Sequence, residues 1–167
     1  SIQTIGVAGN HDVEALPRLA KLLPWFKLLG AGGNWESHTL SKLGKDYAEI
    51  FGWSFGSRQV TDSPVRKLLD KDGFLQNSNA IPRIGLLHCD LGVATSNYAP
   101  VAQEHLRESR FDAWLLGHIH KPSLQEGRFD QMDTPFGYLG SLMGLDPNET
   151  GVHGPWLLQF FDDRPPE

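Results

Sequence analysis

The chain reads as an α/β sandwich built around a mixed sheet. In the front half, short apolar runs of strand length alternate with segments of helical spacing. In the back half, strand-like runs are separated by turn chemistry such as Asp146-Pro147-Asn148, which suggests hairpins. Three of the apolar runs also stop at a polar cluster, and an open α/β sheet builds its ligand site just beyond the carboxyl ends of its strands.

Each element has a local reason. Thr4 to Ala8 is a short apolar run stopped by Gly9-Asn10, a strand and then a turn. Val13 to Leu23 places Val13, Leu16, Leu19, Ala20 and Leu23 at roughly helical spacing, although Pro17 weakens the first turn. Phe26 to Leu29 is a second strand, closed by Gly30-Ala31-Gly32-Gly33, and Tyr47 to Phe55 is a third, interrupted at Gly52. Ser63-Pro64 opens a short helix through Leu69, with Pro64 at the first helical position. Ile81 to Leu87 is a strand ending at His88, Pro100 to Arg107 a helix with Pro100 near its start, and Ala113 to Leu116 a buried strand ending at Gly117-His118. Phe136 to Leu139 and Trp156 to Phe161 complete the strands. One domain spans residues 1–161, and Asp162 to Glu167 reads as a tail or linker.

The bulk numbers bound the function. A chain of 167 residues can bury a sizeable core, and 40% hydrophobic with 21% charged residues is ordinary for a globular protein. The net charge of −5 excludes a uniformly basic nucleic-acid binder but leaves room for a local basic groove. No apolar run reaches the roughly 18 residues that span a bilayer, and no charged-then-apolar leader opens the chain, so neither a membrane partner nor export is expected. Cys89 is the single cysteine, which rules out an intrachain disulfide and favours a reducing, cytoplasmic setting.

The three clusters are Gly9-Asn10-His11-Asp12, His88-Cys89-Asp90 and Gly117-His118-Ile119-His120. Imidazole nitrogen binds transition-metal dications, and the Asn amide oxygen is a harder ligand for the same ions. His118 and His120 stand two apart, so in an extended segment both rings point to one side and could serve one ion or two adjacent ions. Gly117 would let the backbone turn sharply after its strand. A single His after a strand is most often a packed or surface residue; it is the set, each at a strand end, that points to a metal site. His38 and His105 are expected to be solvated, and His153, in a Gly-flanked loop, to lie at the surface with the option of approaching substrate. Cys89 is expected to be a packed thiol, because nothing sets a base beside it.

This ordered set resembles the calcineurin-like metallophosphoesterase superfamily, whose later motifs are Gly-Asn-His-(Asp/Glu), a lone His after a strand, and Gly-His-x-His. Gly85 to His88, Tyr98-Ala99-Pro100, Gly117 to Lys121, Gly140 to Gly144 and Asn148 to Gly151 narrow the likeness to the SbcD-like DNA repair exonuclease branch. The resemblance implies a metallophosphoesterase-type αββα sandwich with mixed sheets. It implies that Asn10, His88 and His118 ligate one divalent ion and His120 a second, the pair usually manganese. It implies that His11 stands near the scissile phosphate as general acid or charge stabiliser, oriented by Asp12. DNA would be the substrate and an SbcC-like ATPase the partner, with a homodimer as a further expectation.

The family pattern begins earlier, with Asp-x-His and then Gly-Asp, and neither motif occurs here. Three imidazoles and an amide are all neutral, so two adjacent dications would repel strongly with no ligating carboxylate between them. Asp90 shares a face with His88 if the strand continues, but the family has no ligand there. The chain is therefore expected to be an N-terminally truncated domain that alone binds at most one metal ion, weakly, and hydrolyses little. Two other functions stand beside the nuclease: a phosphoesterase for nucleotides or small phosphate esters, and a non-catalytic remnant or interaction module.

Overall fold

The computed structural model describes residues 2–71, 81–123 and 134–159. In chain order these form β1 (Thr4–Gly6), α1 (Ala15–Ala20), β2 (Phe26–Leu28), β3 (Trp35–Lys42), β4 (Lys45–Trp53), α2 (Pro64–Leu69), β5 (Arg83–His88), β6 (Asp90–Leu91), β7 (Pro100–Val101), α3 (Gln103–Glu108), β8 (Ala113–Gly117) and β9 (Phe136–Tyr138). The central sheet has the order β3-β4-β5-β8-β9; β3 and β4 pair antiparallel and the other neighbours parallel, which makes it mixed. A parallel pair β1-β2 forms a second sheet, and β6-β7 a small third one.

Alternation along the central strands splits the core in two, because successive side chains point to opposite faces. Phe51, Trp53, Leu87, Trp114 and Leu116 face one side, where they meet Val65 and Leu68 of α2 and Leu106 of α3. Ala48, Ile50, Ile84 and Ala113 face the other, against Leu29 with Ile5 and Val7. Each large apolar side chain buried this way stabilises the fold by about 1.5–3 kcal/mol. Helices therefore cover one face and the β1-β2 sheet the other, with α1 against β2. This is a mixed α/β fold of the kind a metallophosphoesterase adopts.

Several expectations are corrected. Gly52 does not interrupt β4; it runs inside it, and a Cβ there would lie 2.5 Å from Leu29 Cβ, so its bareness lets the second sheet approach. Pro100 pairs as a strand residue in β7, and the following helix starts at Gln103. The hairpin lies in the front half, between β3 and β4, whereas β9 joins β8 in parallel. Residues 156–159 form no strand, and Phe160, Phe161 and the expected tail lie outside the described residues. The Ser63-Pro64 reading holds: the Ser63 hydroxyl accepts a hydrogen bond from the Arg66 amide at 3.3 Å and caps α2. Among the described residues no helix is long and apolar enough to cross a membrane.

Candidate metal centre

The strand ends do converge. His88 is the last residue of β5, paired in register with Gly117 at the end of β8, so His118 follows directly beside it. Asn10 arrives from the second sheet, on the turn closed by the Asp12 amide donating to the Gly9 carbonyl at 3.2 Å. A buried hydroxyl fixes that approach. Ser54, just beyond β4, accepts from the Ala8 amide at 2.9 Å and donates to the Leu29 carbonyl at 2.6 Å, joining both strands of the second sheet to the first. Gly9 completes the fit, since a Cβ there would stand 2.6 Å from the His88 ring.

Three donor atoms meet as a result. His88 Nε2 lies 2.9 Å from Asn10 Oδ1 and 3.1 Å from His118 Nδ1. Ligands bound at roughly 2.1 Å stand about 3.0–3.4 Å from one another in octahedral or tetrahedral geometry. The 3.1 Å spacing falls within that range and the 2.9 Å spacing just below it. Burial, reinforced by the neighbouring His118, pushes His88 down to about 4, so at neutral pH its ring carries no charge and keeps a lone pair. Phe55 packs edge-on against His88 and Tyr98 lies tilted on His118, with ring centroids 5.7 and 5.3 Å apart, which restricts both imidazoles.

The ring of His118 has a second partner. Its Nε2 is 3.0 Å from Asp90 Oδ1, and a carboxylate can only accept, so that nitrogen carries the proton and Nδ1 turns its lone pair toward His88 Nε2. Asp90 is held in turn by the Ser96 hydroxyl. Asp90 thus stands behind the imidazole, on the opposite side from the three donors. The sharp turn here belongs to His118, whose φ is 108°; Gly117, expected to supply it, has no positive φ. A side chain in that region strains the backbone by about 1–3 kcal/mol, which is characteristic of functional sites.

Among the described residues, the remaining expected side chains make no hydrogen bond to this trio. His118 and His120 do not share an extended run. The His120 side chain is more than half exposed and turns to Glu149, with Nδ1 2.5 Å from Oε1. His11 and Asp12 are both exposed, and among the described residues no hydrogen bond joins Asp12 to His11. His105 is half-buried instead of solvated, and among the described residues its Nδ1 has no hydrogen-bond partner. His153 is likewise half-buried, bonded to Ser141 and to the Glu149 carbonyl. Cys89 is fully buried, and burial raises its thiol far above the ordinary range, so it is the packed, unreactive thiol expected.

Among the described residues no three of His, Cys, Asp and Glu gather around one point. The pocket consists of two imidazoles and an amide, a donor set that fits one divalent cation and supplies no negative charge. Glu149 is the partner that sequence reasoning missed. Its stretch was singled out, but no periodicity links a loop carboxylate to a histidine 29 residues away.

No family model matches the chain. The chain is 26% identical over 125 residues to the uncharacterised metallophosphoesterase YhaO of Bacillus subtilis (strain 168). The match supports the calcineurin-like superfamily. It covers 74% of this chain, and the chain spans only 28% of that relative's length.

Proposed function

We propose that this chain carries part of the active site of a divalent-metal-dependent phosphodiesterase, acting on DNA in the manner of the SbcD-like exonucleases. The observation that carries the reading is the convergence of Asn10 Oδ1, His88 Nε2 and His118 Nδ1 at ligand spacing beyond the ends of separate strands. These three would hold one cation and His120 would contribute to a second, manganese being the expected metal. When bound, such a pair supplies charge stabilisation for the entering and leaving oxygens of an in-line displacement. The protein's own part is positional. Asn10 and His88 fix the donors, Asp90 holds the His118 ring, and exposed His11, next to Asn10, reaches out to the phosphoryl group and donates a proton or opposes its charge.

Neutral donors alone do not hold two dications side by side, so this reading places the missing carboxylates on residues outside the chain. That agrees with a chain spanning a fraction of its relative. An SbcC-like ATPase as partner and a homodimeric assembly belong to the same proposal. The test is made on the longer protein: His11→Ala should leave metal affinity nearly intact and cut turnover, whereas His88→Ala should lower metal affinity directly. Equal loss of metal in both variants overturns the assignment. Linear duplex DNA assayed beside a chromogenic phosphodiester separates the nuclease from an enzyme of small phosphate esters.

A further inference from the structure

The two histidines of the Gly117 to His120 segment are each bound by a carboxylate, but through different ring nitrogens. Asp90 takes His118 at Nε2, and Glu149 takes His120 at Nδ1. A carboxylate accepts and cannot donate, so the nitrogen facing it must carry the hydrogen. We propose that Glu149 is a positioning residue for the same site, locking His120 as the Nδ1–H tautomer with Nε2 bare, the reverse of the tautomer that Asp90 imposes on His118. The proposal rests on the phosphoesterase reading for its purpose, but not for its test.

The loop that presents Glu149 is tied to His120 itself. The Ser141 amide donates to the His120 carbonyl at 2.9 Å. The Ser141 hydroxyl meets His153 Nδ1 at 3.1 Å, and His153 Nε2 donates to the Glu149 carbonyl at 3.1 Å. Glu149 Oε1 then closes the circuit on the His120 ring, while its Oε2 accepts from the Leu145 amide at 2.9 Å. Both carboxylate oxygens are therefore engaged, and the carboxyl is held below the ordinary carboxylate range by the Leu145 amide first and His120 second. A surface glutamate meeting a histidine by chance would have one bond and a free rotor. Here four residues form a closed ring of contacts whose one outcome at His120 is the orientation of a half-exposed imidazole. Outer carboxylates of this kind fix the tautomer of a ligating imidazole and raise its basicity. Opposite tautomers within one segment also let two rings offered by neighbouring residues face two different ions.

The test uses the 167-residue chain without added metal. Two-bond 1H–15N correlation spectra at about pH 8, where ordinary imidazoles are neutral, distinguish the tautomers, with single His→Gln variants giving the assignments. The expected result is Nε2–H for His118 and Nδ1–H for His120. Glu149→Ala should convert His120 to the Nε2–H form that free imidazole side chains favour, with the His118 signals unchanged. Glu149→Gln, which keeps a carbonyl oxygen facing the ring, should restore Nδ1–H. An Nε2–H tautomer at His120 in the parent chain overturns the proposal, as does a His120 pattern indifferent to Glu149→Ala. Failure of the phosphoesterase reading would appear elsewhere, as a longer protein that hydrolyses neither linear duplex DNA nor a chromogenic phosphodiester, whatever the tautomer of His120.

Discussion

Removing the Ser54 hydroxyl should be among the more damaging small changes available to this fold. Ser54, Ala8 and Leu29 are all fully buried, and the hydroxyl is both acceptor for the Ala8 amide and donor to the Leu29 carbonyl. Ser54→Ala leaves these two backbone groups without that partner, in a place where water does not substitute. Each unsatisfied buried group costs about 1–3 kcal/mol, and the cavity left by one oxygen atom adds little. The expected loss is therefore about 3 kcal/mol, equivalent to a fall in Tm of roughly 6–12 °C for a chain of this size. Urea and thermal unfolding followed by circular dichroism measure it directly. Ser57→Ala is the control, because that hydroxyl bonds the Gln59 carbonyl on an exposed turn; it should change stability by less than about 0.5 kcal/mol. A Ser54→Ala variant as stable as the Ser57→Ala control would refute the view that this hydroxyl joins the two sheets and so sets the approach of Asn10.

Burial of neutral His88 makes stability depend on acid. Its folded pKa of about 4 lies below the ordinary 6.5, so only the unfolded chain takes up the proton as pH falls through that window. Stability is intact above about pH 6.5, falls by about 3 kcal/mol on the way to about pH 4, and levels off below. His88→Gln should flatten that slope in urea titrations, and an unchanged slope contradicts the assignment. At His118 the positive φ predicts that His118→Gly is more stable than His118→Ala by about 1 kcal/mol, once the entropy of glycine is set against the relieved strain; a more stable alanine variant in thermal melts contradicts it. Calorimetric titration of the chain with manganese should show at most one weak site, and two tight sites would refute the dependence on carboxylates outside it.

The parts of the fold visible in the sequence were those with local signals. Apolar strands that end at a change of chemistry, such as the one closing on His88, and a capped helix at Ser63-Pro64 announce themselves within a few residues. β3 does not. Its inward face carries Glu36, His38 and Leu40, a polar edge with no apolar alternation, and its turn uses Leu43 and Gly44, both with positive φ, where Asn-Gly is the usual signal. Gly52 read as a break because close approach of a second sheet cannot be seen along one strand. The site divided in the same way. Asn10, His88 and His118 stood out because each follows a strand. Asp90 was weighed only as a ligand, Glu149 was given no role, and Ser54 was passed over, because what each does depends on a partner 28, 29 or 46 residues away.

The most direct measurement is anomalous diffraction at the manganese edge from crystals of this chain grown with Mn2+. A single peak within about 2.0–2.3 Å of Asn10 Oδ1, His88 Nε2 and His118 Nδ1, at high Mn2+ concentration, is the predicted result. Manganese bound elsewhere, with those three atoms still bonded only to one another, would contradict it.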